Sequence, residues 1–198
     1  MRLGVFAPTF GDDDVLALAA PAREAEAAGW DGVFIWDGLL WIPEGVGATG
    51  PAETTVALAA VAPATERVRF GALVTPLARR RPWRLAKETA TLDRLSGGRL
   101  VVGVGLGARP DMEPVGEVAG FWPNRQPFRR AARWDGALPL KRGAAAPFDL
   151  VVIAEGGRRA DLAPRYAEAG ATWRLDAVDP RSEGIDSFQA RVRAGPPG

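Results

Sequence analysis

The chain has 198 residues, 47% apolar and 25% charged, a composition expected of one globular domain over residues 1–198 with a single sizeable core. Lysine plus arginine (25) nearly balances aspartate plus glutamate (24), so no net basic field argues for nucleic acid or an anionic membrane. Neither cysteine nor histidine occurs, which excludes disulfides, thiolate chemistry, a Ser-His-Asp triad, a histidine metal site and an imidazole base.

Acid–base chemistry is therefore left to carboxylates, Tyr166, lysine, hydroxyls or a bound cofactor. The sequence has no apolar stretch long enough to span a bilayer and no signal pattern at its start. No membrane partner and a cytoplasmic location are the expectations.

Arg2 to Phe10 predicts a first strand ending in a proline turn. Asp12, Asp13 and Asp14 offer a cap and an acidic first turn for a helix from Val15 to Ala28, which Pro21 must kink or restart. Gly32 to Trp36 is a short second strand with Asp37 at its C-terminal end. A loop rich in glycine and proline runs from Leu39 to Pro51, and a helix from Glu53 to about Ala64 follows.

The segment Val68 to Gly107 organises the chain as strand, loop, helix, strand. Val68, Phe70, Ala72 and Val74 alternate, Pro82 suits a first helical turn, and Leu85, Thr89, Leu92 and Leu95 recur at helical spacing. Ser96-Gly97-Gly98 stops the helix, and Leu100-Val101-Val102 begins an apolar run of the kind buried on both faces in parallel sheets. Together they make a right-handed βαβ unit.

Beyond Gly107 the pattern thins. Ala108 to Gly116 is too short for a normal crossover helix, Glu117 to Ala119 is a meagre strand, and 127–134 reads as helix before an Asp135-Gly136 turn. Ala137 to Leu140 is a stub of strand and Arg142 to Pro147 is linker-like. Phe148 to Ala154 is a buried strand, Arg159 to Ala169 a helix capped by Gly170, Ala171 to Leu175 a strand, and Ser187 to Ala194 a last helix.

As many as eight strands alternating with helices point to a (β/α)8 barrel. A doubly wound dinucleotide fold is disfavoured because Pro8-Thr9-Phe10-Gly11 is no glycine-rich first turn. Gly103-Val104-Gly105-Leu106-Gly107 lacks the acidic residue expected after a following strand, so its glycines read better as room for a strand end to pack closely.

Four phrases carry a resemblance: 27–34 (AAGWDGVF), 65–69 (TERVR), 91–100 (TLDRLSGGRL) and 166–172 (YAEAGAT). They resemble the luciferase-like monooxygenase family of TIM-barrel oxidoreductases that use FMN or the deazaflavin F420. The resemblance implies a flavin- or F420-dependent oxidoreductase acting on a small organic substrate. It places the cofactor ring against a bulge, often with a non-prolyl cis peptide, at Leu73, Val74 and Thr75. The phosphate falls at Gly120, Asn124 and Arg125, and Asp37 falls near the reacting centre. Two departures stand out. Gly38 follows Asp37 where relatives usually carry histidine, and the region between strands four and five and the sixth helix are reduced. Apolar wall left bare by those reductions suggests a homodimer, and the missing histidine and lost segment favour a non-catalytic flavin-binding or scaffold protein as the alternative.

Plainer roles stand beside these. Asp37 also fits a strand-end carboxylate bonding loop N–H groups, and Leu73-Val74-Thr75 a plain strand before a Pro76 turn. Arg79-Arg80-Arg81 fits either phosphates and the acidic tail of F420 or a solvated surface. Trp36, Trp41 and Trp122 suit a core as well as a stacked ring, and Asp93 and Arg94 suit structural pairing on a barrel helix.

Overall fold

The organising segment folds as β3 (Arg69–Pro76), a single 3-10 turn (Leu77–Arg79), α3 (Pro82–Ser96) and β4 (Leu100–Gly105), with β3 and β4 parallel. The computed structural model describes residues 1–7, 16, 18–38, 52–105, 136–137, 149–155, 163–168, 170–177 and 185–197. Before this segment come β1 (Arg2–Ala7), α1 (Ala19–Ala27), β2 (Gly32–Ile35) and α2 (Thr54–Ala64). After it come β5 (Gly136–Ala137), β6 (Asp149–Glu155), α4 (Ala163–Glu168), β7 (Trp173–Ala177) and α5 (Ile185–Ala194). The predicted strand at 117–119, the helix at 127–134, the loop at 39–51 and the reduced region after β4 lie outside the described residues.

The strands form one sheet in the order β4-β3-β2-β1-β7-β6-β5, every pairing parallel. The two end strands, β4 and β5, lie against each other, so the sheet curls through most of a barrel. Side chains divide accordingly. Val5, Val33, Ile35 and Phe70 point outward into a core shared with Ala25, Leu58, Val61 and Phe188 of the helices. Phe34, Leu73, Trp173 and Leu175 fill the inside, the Phe34 and Trp173 rings packing edge to face with centroids 5.4 Å apart and planes at 89°. Burial on both faces is why these strands read as continuous apolar runs. β4 departs from this: Val102 is 46% exposed.

Local chemistry accounts for the element ends. α1 begins at Ala19, which puts Pro21 in the first turn, where its missing N–H costs nothing. Glu53 caps α2 by accepting the Val56 N–H at 3.0 Å. α3 starts on Pro82 and ends on Gly97 in the left-handed conformation, φ 69° and ψ 34°, which glycine adopts without a Cβ penalty. The helix turns its buried stripe slightly away from the predicted one: Ser96 is buried and Leu95 is 53% exposed. β7 starts two residues later than the sequence suggested, at Trp173.

Two polar staples hold the layers together. The Glu26 carboxylate accepts the N–H groups of Glu66, Arg67 and Val68 at 2.6–3.1 Å, tying α1 to the entry of β3. Arg99, after the double glycine, places all five of its N–H donors. They reach Ser96 O, Val68 O, Ala62 O, Thr65 O and Thr65 Oγ1 at 2.7–3.0 Å. A cation over the exposed carbonyls of a helix end is favourable, and Ala62 and Thr65 are those carbonyls for α2.

Candidate active site

In a parallel α/β barrel the C-terminal strand ends form the mouth where sites are built. Asp37, two residues past β2, and Thr75, near the end of β3, both belong to that end. Both are buried, Asp37 at 3% exposure.

β3 is irregular just before the mouth. Ala72 pairs with Val102 but Thr75 pairs with Val104, so β3 carries one residue more than β4 over this stretch. The extra residue falls at Leu73–Val74, and that peptide bond is cis. Leu73 points into the inner cluster, Val74 is half-buried and Thr75 is buried. The facing strand makes room with glycine. A Cβ on Gly103 would lie 2.3 Å from the Leu73 side chain, and one on Gly105 would lie 2.3 Å from that of Val74. These glycines of the Gly103-to-Gly107 run thus serve close strand packing.

Asp37 sits in an ion network. Arg80 Nη2 donates to both its oxygens at 3.0 and 2.9 Å, and Arg79 Nη2 donates to Oδ1 at 3.2 Å and to the Asp37 main-chain oxygen. Arg80 Nη1 donates to Glu53 Oε1 at 2.9 Å. Burial pulls the Arg80 guanidinium toward losing its proton, but its bonds to Asp37 and Glu53 outweigh this and raise its pKa above the ordinary value. Burial likewise pushes the Glu53 carboxyl up, while the Arg80 bond, the Val56 N–H and the Arg80 charge more than offset it and leave it low.

The arginine run therefore divides. Arg79 and Arg80 turn inward onto carboxylates, and the exposed Arg81 guanidinium lies 5.6 Å from the Trp83 ring centroid. Arg79 Nε is buried without an acceptor among the described residues. Gly38 lies under the Trp36 indole: a Cβ there would come 2.1 Å from the ring, so a side chain at 38 requires the indole to move aside.

A small cavity of about 30 Å³ lies between the sheet and helices α2 and α3, lined by Asp37, Thr54, Thr75, Arg80 and Glu88 among others. It has room for roughly two waters and none for a tricyclic ring. Among the described residues no three metal-ligating side chains come together, and no helix is long and apolar enough to cross a membrane.

The structure thus brings Asp37, Leu73, Val74 and Thr75 to one end of the sheet. Gly120, Asn124, Arg125, Trp41 and Trp122 lie outside the described residues. Glu53 and the inward turn of Arg79 and Arg80 escape sequence reasoning, because the partners are 27 to 43 residues apart.

A parallel α/β sheet curled as a truncated TIM barrel, with a bulged third strand and a carboxylate after the second, defines the class of scaffold. The chain belongs to the luciferase-like monooxygenase family, whose model matches residues 1–135. It is 37% identical over 144 residues to an F420-dependent glucose-6-phosphate dehydrogenase of Beutenbergia cavernae, covering 71% of this chain and 40% of that protein. It is 36% identical over 175 residues to the same-named enzyme of Nakamurella multipartita, covering 82% of this chain and 48% of the other. The chain thus spans less than half the length of these relatives. Among solved structures, the coenzyme F420-dependent tetrahydromethanopterin reductase of Methanopyrus kandleri matches with TM-score 0.50 and 25% identity, over 58% of this chain and 30% of that one.

Proposed function

We propose that this chain is a flavin- or F420-dependent oxidoreductase acting on a small organic substrate, with residues 1–198 as its single barrel domain. The observation that carries the reading is the β3 bulge at Leu73–Val74, fronted by Gly103 and Gly105 and standing at the same sheet end as Asp37. The unpartnered Arg79 Nε fits it too, as a buried donor left over for an oxygen at the mouth.

In this reading Leu73, Val74 and Thr75 back the cofactor ring, Asp37 orients a donor group beside it, and Gly120, Asn124 and Arg125 hold the phosphate. When bound, F420 or FMN supplies hydride or oxygen chemistry; the chain supplies position and electrostatics. Asp37 accepts from two guanidinium groups, which suits a fixed hydrogen-bond acceptor better than a proton donor. The two F420-dependent relatives favour F420 over FMN. A homodimer covering the half-exposed Val102 and Leu95 is also proposed, and light scattering tests it.

A second reading, a non-catalytic flavin-binding or scaffold protein, is favoured by Gly38. The Trp36 indole fills the space where an imidazole would stand. Titration of the purified protein with FMN and separately with F420 tests both readings. Micromolar binding of one, weakened by replacing Asn124 and Arg125 with alanine, supports a cofactor protein. Turnover reduced by Asp37→Asn more than binding then supports the enzyme, and binding without turnover supports the second reading. No binding by the folded chain refutes the enzyme and the flavin-binding protein and leaves the scaffold.

A further inference from the structure

Both ends of the segment between β2 and α2 converge on one side chain. Asp37 stands at the β2 end and Glu53 at the α2 end, and Arg80 donates to both: Nη2 to the two Asp37 oxygens, Nη1 to Glu53 Oε1 at 2.9 Å. Glu53 Oε2 is occupied by the Val56 N–H at 3.0 Å, so this chain of bonds ends in the first turn of a helix. We propose that Arg80 is a positioning residue that fixes the Asp37 carboxylate by clasping it to the start of α2 through Glu53, so that Asp37 presents a remaining Oδ2 lone pair to an N–H or O–H donor of the ligand.

The inference deepens the proposed function, since it rests on Asp37 facing a ligand. A carboxylate has about four acceptor positions. Asp37 Oδ1 takes one N–H from Arg79 and one from Arg80, and Oδ2 takes one from Arg80. Among the described residues that leaves Oδ2 the oxygen with acceptor capacity to spare. The clasp balances two cations against two anions, so it orients the carboxylate without adding net charge to the mouth. It needs a planar fork: a lysine ammonium on a flexible stem cannot serve both carboxylates in fixed directions.

Hydrogen exchange of the apoprotein, followed by mass spectrometry, tests the clasp without any ligand. Arg80→Gln should speed exchange by about tenfold or more in both 33–38 and 53–57, with β1 and β7 unchanged. Glu53→Gln should do so in 53–57 alone, because Arg79 and Arg80 still hold Asp37. Exchange altered in neither segment, or in only one, by Arg80→Gln overturns the clasp. The ligand-facing part is read from the absorption band of bound F420 or FMN, whichever the wild type takes up. Arg80→Gln and Arg80→Lys should both move that band in the direction that Asp37→Asn moves it. A band unchanged in both Arg80 variants while Asp37→Asn shifts it, or full rescue by lysine, overturns the positioning role. Failure of the wild type to bind either cofactor refutes the functional reading and leaves the exchange result to decide the clasp.

Discussion

Replacing Arg99 with methionine keeps the aliphatic stem and deletes five donors at once. Three of the acceptors left behind are the carbonyls of Ala62, Thr65 and Val68, residues that are 1%, 4% and 0% exposed and so have little access to water. A buried acceptor stripped of its partner costs about 1–3 kcal/mol, and bonds to one shared donor do not add independently. Charging about 1 kcal/mol for each of the three gives roughly 3 kcal/mol. Loss of the cation from the α2 end adds up to about 1 kcal/mol. In a domain of this size each kcal/mol moves Tm by about 2–4 °C, so Arg99→Met should melt about 6–15 °C below wild type in a calorimetric scan. Arg99→Lys keeps the charge but cannot reach Ser96 O, Ala62 O and Thr65 O together, and should lose about half as much. A methionine variant melting within about 2 °C of wild type would show that these carbonyls find water, and the staple would then be no more than a surface contact.

Two further outcomes follow from the same geometry. Burial pushes the Glu26 carboxyl up, but the N–H groups of Val68, Glu66 and Arg67 outweigh this and hold its pKa below 4.5. Its stabilisation is thus present above that value and lost as pH falls through the lower folded-state pKa, so the Tm gap between wild type and Glu26→Gln should narrow from pH 7 toward pH 3; a constant gap would refute this. Gly38→Ala forces the Trp36 indole aside and should cost about 1–3 kcal/mol, but much less in a Trp36→Ala background; equal costs in a double-mutant cycle would mean that the indole does not fill that space.

What the sequence discloses here is whatever is written locally. The βαβ unit shows because its signals, Pro82 at a helix start, Gly97 at its end and apolar runs on either side, act within a few residues of where they stand. Leu95 misled for a physical reason as well: Leu92 and Leu95 share a helical spacing, but 3.6 residues per turn carries the buried stripe on to Ser96. The site is less legible because its relations are long-range. Nothing near Arg80 says that it will bridge Asp37 and Glu53, since that depends on β2, β3 and α2 being brought side by side. An arginine run reads as a positive surface until the fold supplies the acids. Conversely, the glycines at 103 and 105 read in the sequence as room for close packing, and the bulge beside them shows what needs that room. Both cases turn on the third strand: its bulge decides what the glycines are for, and the turn after it decides where the guanidinium groups go. The chemistry proposed for this chain thus depends on β3 more than on any one charged residue.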